Sequence, residues 1–316
     1  MKEGVSIVVL NFNGLEQLRK CLTSIFHSNQ GDTPCEVIVV DNGSKDKSVK
    51  YVQENFPQAK IIEMGYNAGY CKANNFGAKE ARYPLVFFLN NDTTVTDHFL
   101  APIIKHFEDP EVFAVSPKVL RIHENMLDES IIVASFKGGC INPDNKISKN
   151  ISPVPCTPLE IFNACGAAMM VDKTKFLKLG GFDELFYPFY LEETDLCYRA
   201  WKMGWKTLYE PKSTIFHEHD RTIGQRFRKF KIKASYRKNQ YLFVWKNITS
   251  PRLLLSHFLE MIIPKLLIPN LTEWAALFWA IKQLPQVIKK RSWNRFAKLS
   301  DQDVFNRTAY LLKYLK

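Results

Sequence analysis

The residues best suited to chemistry are acids that close apolar runs. Leu85 to Leu89 is continuously apolar and leads into Asn90-Asn91-Asp92, and Val37 to Val40 leads into Asp41-Asn42-Gly43-Ser44. Short apolar runs bounded by turn residues read as buried strands. In open α/β sheets ligands sit at the carboxyl ends of the strands, so two strands deliver two carboxylates to a sheet edge. There Asp92 either closes a turn or binds a divalent cation that bridges the two phosphates of a nucleotide diphosphate. Hard carboxylate and phosphate oxygens select Mg²⁺ or Mn²⁺. Asp41 either caps the following turn or accepts a hydrogen bond from a nucleobase or a ribose. Between the two acids, Asn67 to Gly77 offers small residues that admit close backbone approach, and Lys72, whose ammonium suits a phosphate.

A further acidic group, Glu192-Glu193-Thr194-Asp195, opens a helix, where the macrodipole favours carboxylates in any case. Beside a bound diphosphate donor, one of them could take the proton from an attacking hydroxyl. Adjacent helical side chains diverge by about 100°, so Glu192 and Glu193 cannot share that role. His217 and His219 would share one face of an extended strand, as surface residues or as groups that ligate a metal or donate to phosphate. The H-E-x-x-H spacing of zinc proteases and the G-x-G-x-x-G of dinucleotide enzymes are both missing.

The elements that must position these groups alternate. A first strand, Ser6 to Leu10, precedes a helix with Leu15, Leu18, Leu22, Ile25 and Phe26 on one face and Asn13 placed to cap it. Ser44 is placed to cap a second helix carrying Val49, Val52 and Phe56, which Pro57 stops; Lys60 to Glu63 reads as a third strand. Residues 73–82 form a helix before the strand ending at Leu89. Strands this apolar predict a mainly parallel sheet covered by helices on both faces. From about 120 to 165, glycines and prolines mark loops rather than a packed element. Ala167 to Val171 then reads as a strand, with a short helix near 173–179, a Gly180-Gly181 turn and a helix over 192–203.

With 46% hydrophobic and 24% charged residues, the 316-residue chain suits one α/β domain plus an appendage and excludes disorder throughout. Its seven cysteines include no C-x-x-C pair, which argues against a structural zinc site or a disulfide framework and fits a reducing cytoplasm. The first apolar run is too short for a signal sequence. The net charge of +11 is uneven: residues 1–220 carry 23 Lys and Arg against 28 Asp and Glu, and residues 221–316 carry 20 against 4. A basic tail points to a polyanionic partner. Its apolar stretch, 253–284, is broken by Glu260, Pro264, Lys265, Pro269 and Glu273, short of the roughly 20 apolar residues a spanning helix needs. It is expected to lie on an anionic membrane, and removing residues 250–316 is expected to release the protein while sparing chemistry at the sheet.

Taken in order, Ser6 to Asn13, Val37 to Ser44, Asn67 to Gly77, Asn90-Asn91-Asp92, Cys165 to Ala168, Gly180 to Glu184, Glu192 to Cys197, Gly204-Trp205 and His217 resemble a family 2 glycosyltransferase of GT-A fold. The resemblance spans about residues 4–220 and is closest to the rhamnosyltransferase-like branch that builds bacterial cell-surface polysaccharides. It implies a GT-A nucleotide-diphospho-sugar transferase fold with a helical C-terminal extension. Residues 1–220 would be the catalytic domain, with a nucleotide-sugar half to about 118 and an acceptor half from about 119. Residues 221–316 would be the basic, amphipathic, membrane-associating region. The donor would be held by Asn11, Asp41, Asn67, Lys72, Asn91, Asp92 and Gly166. Asp92 and His217 would hold the divalent cation, and Glu193 would be the base, with Asp195 as the alternative. Two departures stand out: Asn90-Asn91-Asp92 leaves one acid in the D-x-D-type motif, and Glu192-Glu193 replaces the usual Glu-Asp pair.

The implied reaction is inverting, metal-dependent transfer of rhamnose or a hexose to a hydroxyl of a growing, lipid-linked cell-surface glycan. It would take place in the cytoplasm at the inner face of the plasma membrane, with homo-oligomers allowed and no nucleic acid expected. In-line attack needs one base and one leaving-group stabiliser, which matches an inventory without an evident nucleophile–base dyad. One rival is nucleotidyl transfer, although Asn11 to Gly14 supplies no glycine-rich basic loop. The other is a nucleic-acid-binding module using the basic tail, with Phe227, Phe230, Tyr236 and Tyr241 as stacking surfaces.

Overall fold

The computed structural model describes residues 4–122, 126–144, 154–218 and 227–311. Its first four strands, β1 (Val5–Asn11), β2 (Cys35–Asp41), β3 (Lys60–Glu63) and β4 (Leu85–Asn90), are parallel neighbours in the order β3-β2-β1-β4. Their apolar runs are explained by burial on both faces. Val5, Ile7 and Val9 pack with Leu18, Leu22 and Ile25 of α1 (Leu15–His27) and Val52 of α2 (Ser48–Asn55). Val8 points the other way, towards α3 (Tyr70–Glu80). There Gly77 lies flat on the sheet, where a Cβ would come within 2.6 Å of Val8.

The second half of the sheet is mixed. After β5 (Thr93–Val95), α4 (Leu100–Ile104) and β6 (Val112–Arg121), strand β10 (Ala168–Asp172) inserts antiparallel between β4 and β6. Strand β11 (Lys206–His217) runs parallel to β6 and antiparallel to β5. The parallel expectation therefore holds for β1 to β4 and for β6 with β11. Orientation was invisible in β10 because a strand buried on both faces is continuously apolar whichever way it runs. The insertion matters for the site: being antiparallel, β10 begins at the edge where β1, β2 and β4 end.

The segment expected to be loops contains packed structure. Strands β7 (Val133–Lys137) and β8 (Cys140–Asp144) form a hairpin whose turn is Gly138-Gly139, both with positive φ, 61° and 70°. Glycine pairs make such two-residue turns without steric cost. A short strand β9 (Leu159–Glu160) pairs with β11. Ala134, Ile141 and Phe162 share a core cluster with the C-terminal helices.

Those helices are not a detachable tail. They follow α5 (Lys173–Lys178) and α6 (Glu192–Lys202) and comprise α7 (Lys229–Asn247), α8 (Pro251–Ser256), a π-helical turn (His257–Ile262), α9 (Ile263–Leu267), α10 (Leu271–Lys282), α11 (Leu284–Arg291) and α12 (Asp301–Ala309). Leu242, Phe243 and Phe305 cluster with Tyr198 and Trp201 of α6. Asp301, 1% exposed, accepts from Lys202 (2.7 Å), the Tyr198 hydroxyl (2.6 Å) and the backbone N–H groups of Thr249 and Ser250. Removing residues 250–316 would strand Lys202 and uncover α6, contrary to the expectation that the deletion leaves the chemistry untouched. Three of the rings proposed for base stacking are committed: Tyr241 is buried, Phe227 packs on Phe189 and Tyr236 on Tyr190, while Phe230 stays exposed with an edge on Trp279.

Candidate active site

The edge formed by the ends of β1, β2 and β4 is tied together by Asn11. Its Nδ2 donates to Asp41 Oδ1 (3.2 Å) and to the Ser44 and Ser48 hydroxyls (3.2 and 2.9 Å), while its Oδ1 accepts from Asn91 Nδ2 (2.8 Å). Asp41 is 3% exposed, and its Oδ2 accepts the Ser44 N–H at 2.9 Å. The predicted helix caps fall differently. Asn13 takes a positive φ of 51° and accepts from the Lys45 N–H, and Ser44 accepts from the Asn13 N–H. Asp46 instead receives the N–H groups of Leu15 and Ser48, one from the start of each helix. Both turns are thus stitched to each other rather than capped one by one. Asn67, exposed, bonds Asn42 and the Gly69 N–H and shapes the loop before α3.

Asp92 follows β4 and faces the last residue of β11, where His217 pairs with Thr93. Its Oδ1 is buried, has no hydrogen-bond partner, and lies 3.4 Å from His217 Nε2. On its other nitrogen, Nδ1, His217 meets Asp128 Oδ2 at 2.9 Å, and Asp128 in turn meets Arg121 Nε at 3.1 Å. Burial opposes a charged imidazole, but Asp128 and Asp92 outweigh it and push His217 up to about 9. A buried carboxylate oxygen without a partner beside an imidazole held by a second carboxylate fits a divalent cation whose remaining ligands come from phosphate and water. Among the described residues no group of three or more His, Cys, Asp and Glu could hold an ion alone. His219 lies outside the described residues.

Glu193 comes to the same edge from the far side of β4. Asn90 N–H donates to Ala167 O at 2.9 Å, next to Gly166, and a Cβ on Gly166 would come within 2.4 Å of Glu193 Oε1. Tyr70 of α3 donates to Gly166 O at 3.0 Å. Burial raises the Glu193 carboxyl to about 7, opposed by its own backbone N–H and the nearby Tyr70 hydroxyl. Glu192 has a buried Oε2 with no hydrogen-bond partner; burial and then Glu193 raise its carboxyl well above the usual range. The helix start is strained: Tyr190 and Leu191 both have positive φ, 78° and 71°, a conformation costing on the order of 1–3 kcal/mol per non-glycine residue.

Asp195 is not at this edge's disposal. Fully buried, it gives Oδ2 to Arg199 Nε (2.8 Å) and Oδ1 to Lys246 Nζ and Asn247 Nδ2 (both 2.7 Å). Lys72 is exposed, donates to the Tyr66 hydroxyl at 2.7 Å, and opens on a cleft of about 670 Å³ that runs past Asn75 and Gly181 to Lys290. The structure thus gathers Asn11, Asp41, Asn91, Asp92, His217, Gly166 and Glu193 at one sheet edge, ties Asn67 beside it through Asn42, opens Lys72 on a separate cleft, and keeps Asp195 in a separate buried network. Sequence reasoning missed Asp128 and Tyr70. Asp128 lay in the segment read as loop, and its only signal was an acid near a histidine 89 residues away.

The model of the family Glycosyl transferase family 2 matches residues 6–178, so it ends before α6. The chain is 26% identical over 220 residues to a pre-mycofactocin glycosyltransferase of Mycobacterium tuberculosis, covering 68% of this chain and 43% of that one. It is 23% identical over 265 residues to the N-acetylglucosaminyl-diphospho-decaprenol L-rhamnosyltransferase of the same organism, covering 77% and 85%. This chain therefore spans less than half the length of the first of these relatives. The structure of GalNAc-T7 with UDP, GalNAc and Mn²⁺ superposes with a TM-score of 0.72 at 16% identity, over 99% of this chain and 57% of that one. A mannosyltransferase from Pyrobaculum calidifontis in complex with GDP-Man and Mn²⁺ gives 0.55 at 15% identity, over 100% and 86%. The fold shared with these glycosyltransferases is GT-A.

Proposed function

The chain belongs to glycosyl transferase family 2, and we propose that it moves a sugar, rhamnose or a hexose, from a nucleotide-diphosphate donor to a hydroxyl of a growing, lipid-linked cell-surface glycan, with inversion. The observation that carries this reading is the meeting of Asp41, Asp92 and Glu193 at one sheet edge, linked through Asn11, Asn91 and Gly166. Asp41, fixed by Asn11 and the Ser44 N–H, keeps carboxylate lone pairs for a nucleoside hydroxyl or imide. Lys72 would meet the diphosphate and Asn67 the nucleoside. Asp92 and His217 would hold Mg²⁺ or Mn²⁺, which when bound neutralises charge on the departing nucleoside diphosphate. Asp128 keeps the His217 ring turned so that Nε2 faces Asp92.

Glu193 is the base. Burial that raises the carboxyl to about 7 brings it toward the operating pH, where a general base retains affinity for the proton it takes. It removes the acceptor hydroxyl's proton as the oxygen attacks the anomeric carbon from the side opposite the leaving diphosphate, so the configuration inverts and no covalent intermediate forms. Asp195, with both oxygens engaged by cations and an amide, serves the fold instead.

The lipid-linked acceptor is suggested by the name of the mycobacterial rhamnosyltransferase and by the surface of the C-terminal region. Among the described residues no helix is long and apolar enough to cross a membrane. Yet Leu267, Ile268, Leu271 and Phe278 are 55–75% exposed, an arrangement suited to lying in the headgroup layer at the inner face of the plasma membrane. The decisive test is a panel of nucleotide sugars assayed for Mn²⁺-dependent release of nucleoside diphosphate. Asp92→Asn should lower the release from the accepted donor by at least about 100-fold. Equal hydrolysis by this variant, or by the wild type in chelator, would overturn the metal assignment.

A further inference from the structure

The backbone that aims Glu193 is held from outside the sheet. Asn239 of α7, wholly buried, sends its Nδ2 to the carbonyls of Phe186 (2.8 Å), Phe189 (2.9 Å) and Tyr190 (2.8 Å). Its neighbour Lys238, 4% exposed, sends Nζ to the carbonyls of Tyr187 (2.6 Å) and Leu185 (3.3 Å). Five contacts from two adjacent residues thus converge on the six residues that lead into α6. An amide with two hydrogens serving three carbonyls must share at least one of them, so the geometry is narrowly set. Only donors can do this, because an acid or an apolar group there would face a ring of carbonyl oxygens.

What these donors secure is the left-handed pair Tyr190 and Leu191, immediately before Glu192 and Glu193. A strained turn persists only where its surroundings over-determine it. On its other side Glu193 has little latitude, since its carboxylate passes so close to Gly166 that a Cβ there would collide with Oε1. A small rotation of the helix start would drive the carboxylate into the Gly166 backbone or withdraw it from the sheet edge. Neither Lys238 nor Asn239 belongs to that edge; Asn239 reaches the reaction through this turn, and Lys238 through the turn and through its charge beside Glu192.

We propose that Asn239, assisted by Lys238, is a positioning residue for glycosyl transfer: it holds the Tyr190–Leu191 turn that aims Glu193 past Gly166 toward the Asp92 edge. The proposal rests on Glu193 being the base. The C-terminal helices are then part of the catalytic apparatus rather than an accessory to it, although the family match ends at residue 178.

The test uses the full chain with Asn239→Asp, which keeps the volume and loses the donor, Lys238→Met, Lys238→Arg, and Glu193→Gln for reference. Two readouts are taken: kcat and donor KM with the nucleotide sugar that gives Mn²⁺-dependent nucleoside diphosphate release, and titration of the Glu193 carboxyl by ¹³C NMR on glutamate-labelled protein, assigned with Glu193→Gln. For Asn239→Asp, kcat should fall about 10- to 100-fold, the scale of a misplacement near 1 Å, while donor KM stays within about twofold. The Glu193 titration should shift away from its wild-type position near 7. Lys238→Met should show a smaller version of both, and Lys238→Arg should restore them. If Asn239→Asp does not fold, the Lys238 pair decides by the same criteria. Unchanged kcat and an unchanged titration in a folded variant would overturn the proposal, as would kcat and donor KM deteriorating together. Transfer surviving in Glu193→Gln would remove the base assignment, while the titration would still report whether Asn239 sets the surroundings of Glu193.

Discussion

At the scale of residues, the members of the candidate site were legible where type and position coincide. Asp41 and Asp92 close apolar strands, and Glu193 opens a helix; a carboxylate at such a place needs no tertiary knowledge to be noticed. Asp128 was illegible, because its importance is a contact and not a spacing. It accepts from His217 Nδ1 and thereby turns Nε2 toward Asp92. Carboxylates that orient a metal-binding histidine in this way are typically worth about 10- to 100-fold in metal affinity. Asp128→Asn should therefore weaken Mn²⁺ binding by that factor, read by the paramagnetic resonance of unbound Mn²⁺ in the presence of UDP or dTDP. Affinity equal to wild type would mean that His217 is not oriented through Asp128. Asp195 shows the opposite hazard: an acid in the right motif whose lone pairs are committed elsewhere, which no one-dimensional pattern reveals.

At the scale of elements, continuous apolar runs located β1, β2 and β4 and a stripe repeating at 3.6 located α1 to α3, while β5, α4 and β6 are not located by either. Caps were less visible, since Asp46 serves two helix starts at once and neither pattern alone predicts that. The same holds for the union of α6 with α7. Lys246 binds Asp183 Oδ2 (2.6 Å) and Asp195 Oδ1 (2.7 Å) with only 2% of its side chain exposed, so the sequence shows three charged residues and the structure one closed network. Breaking a buried pair by removing one partner costs about 3–5 kcal/mol, and Lys246→Met should lose that much in denaturant unfolding at pH 7. The acid limb carries a sign. Burial alone would raise Asp183, but Lys246, Lys290 and Arg199 hold it below the usual carboxylate range. Its contribution is complete above the unfolded value of about 4 and fades as pH falls toward the folded one. The gap between wild type and Lys246→Met should accordingly narrow below about pH 4. A gap under about 1 kcal/mol at pH 7 would show that the network is not a stability determinant.

At the scale of the whole molecule, charge asymmetry foretold a basic C-terminal region but not its architecture. Helix α10 explains why: Ala276, Leu277 and Ala280 face the core, while Leu271, Trp274, Phe278 and Ile281 face outward at helical spacing. A helix apolar on both sides has no single amphipathic signature to read. Its outward row continues from Leu266, Leu267 and Ile268 at the end of α9, beside a chain segment carrying 20 Lys and Arg against 4 Asp and Glu. Vesicles containing phosphatidylglycerol should co-float the protein. Leu267→Gln combined with Phe278→Gln should release most of it without altering nucleotide-sugar hydrolysis, and 0.5 M salt should weaken the wild-type association through screening. Flotation indifferent to the double substitution would place the contact elsewhere.

Tyr198 and its partner Asp301 are 103 residues apart, and that separation has a price during synthesis. At about 5–20 residues per second, the ribosome finishes α6 on the order of 5–20 s before Asp301 can reach it. Strands β1 to β4 can meanwhile collapse together, whereas the helix bearing Glu193 has an apolar flank and Lys202 still without Asp301. The nascent polypeptide is thus most prone to aggregate in the interval between the emergence of α6 and that of Asp301, when β1 to β4 have already taken shape.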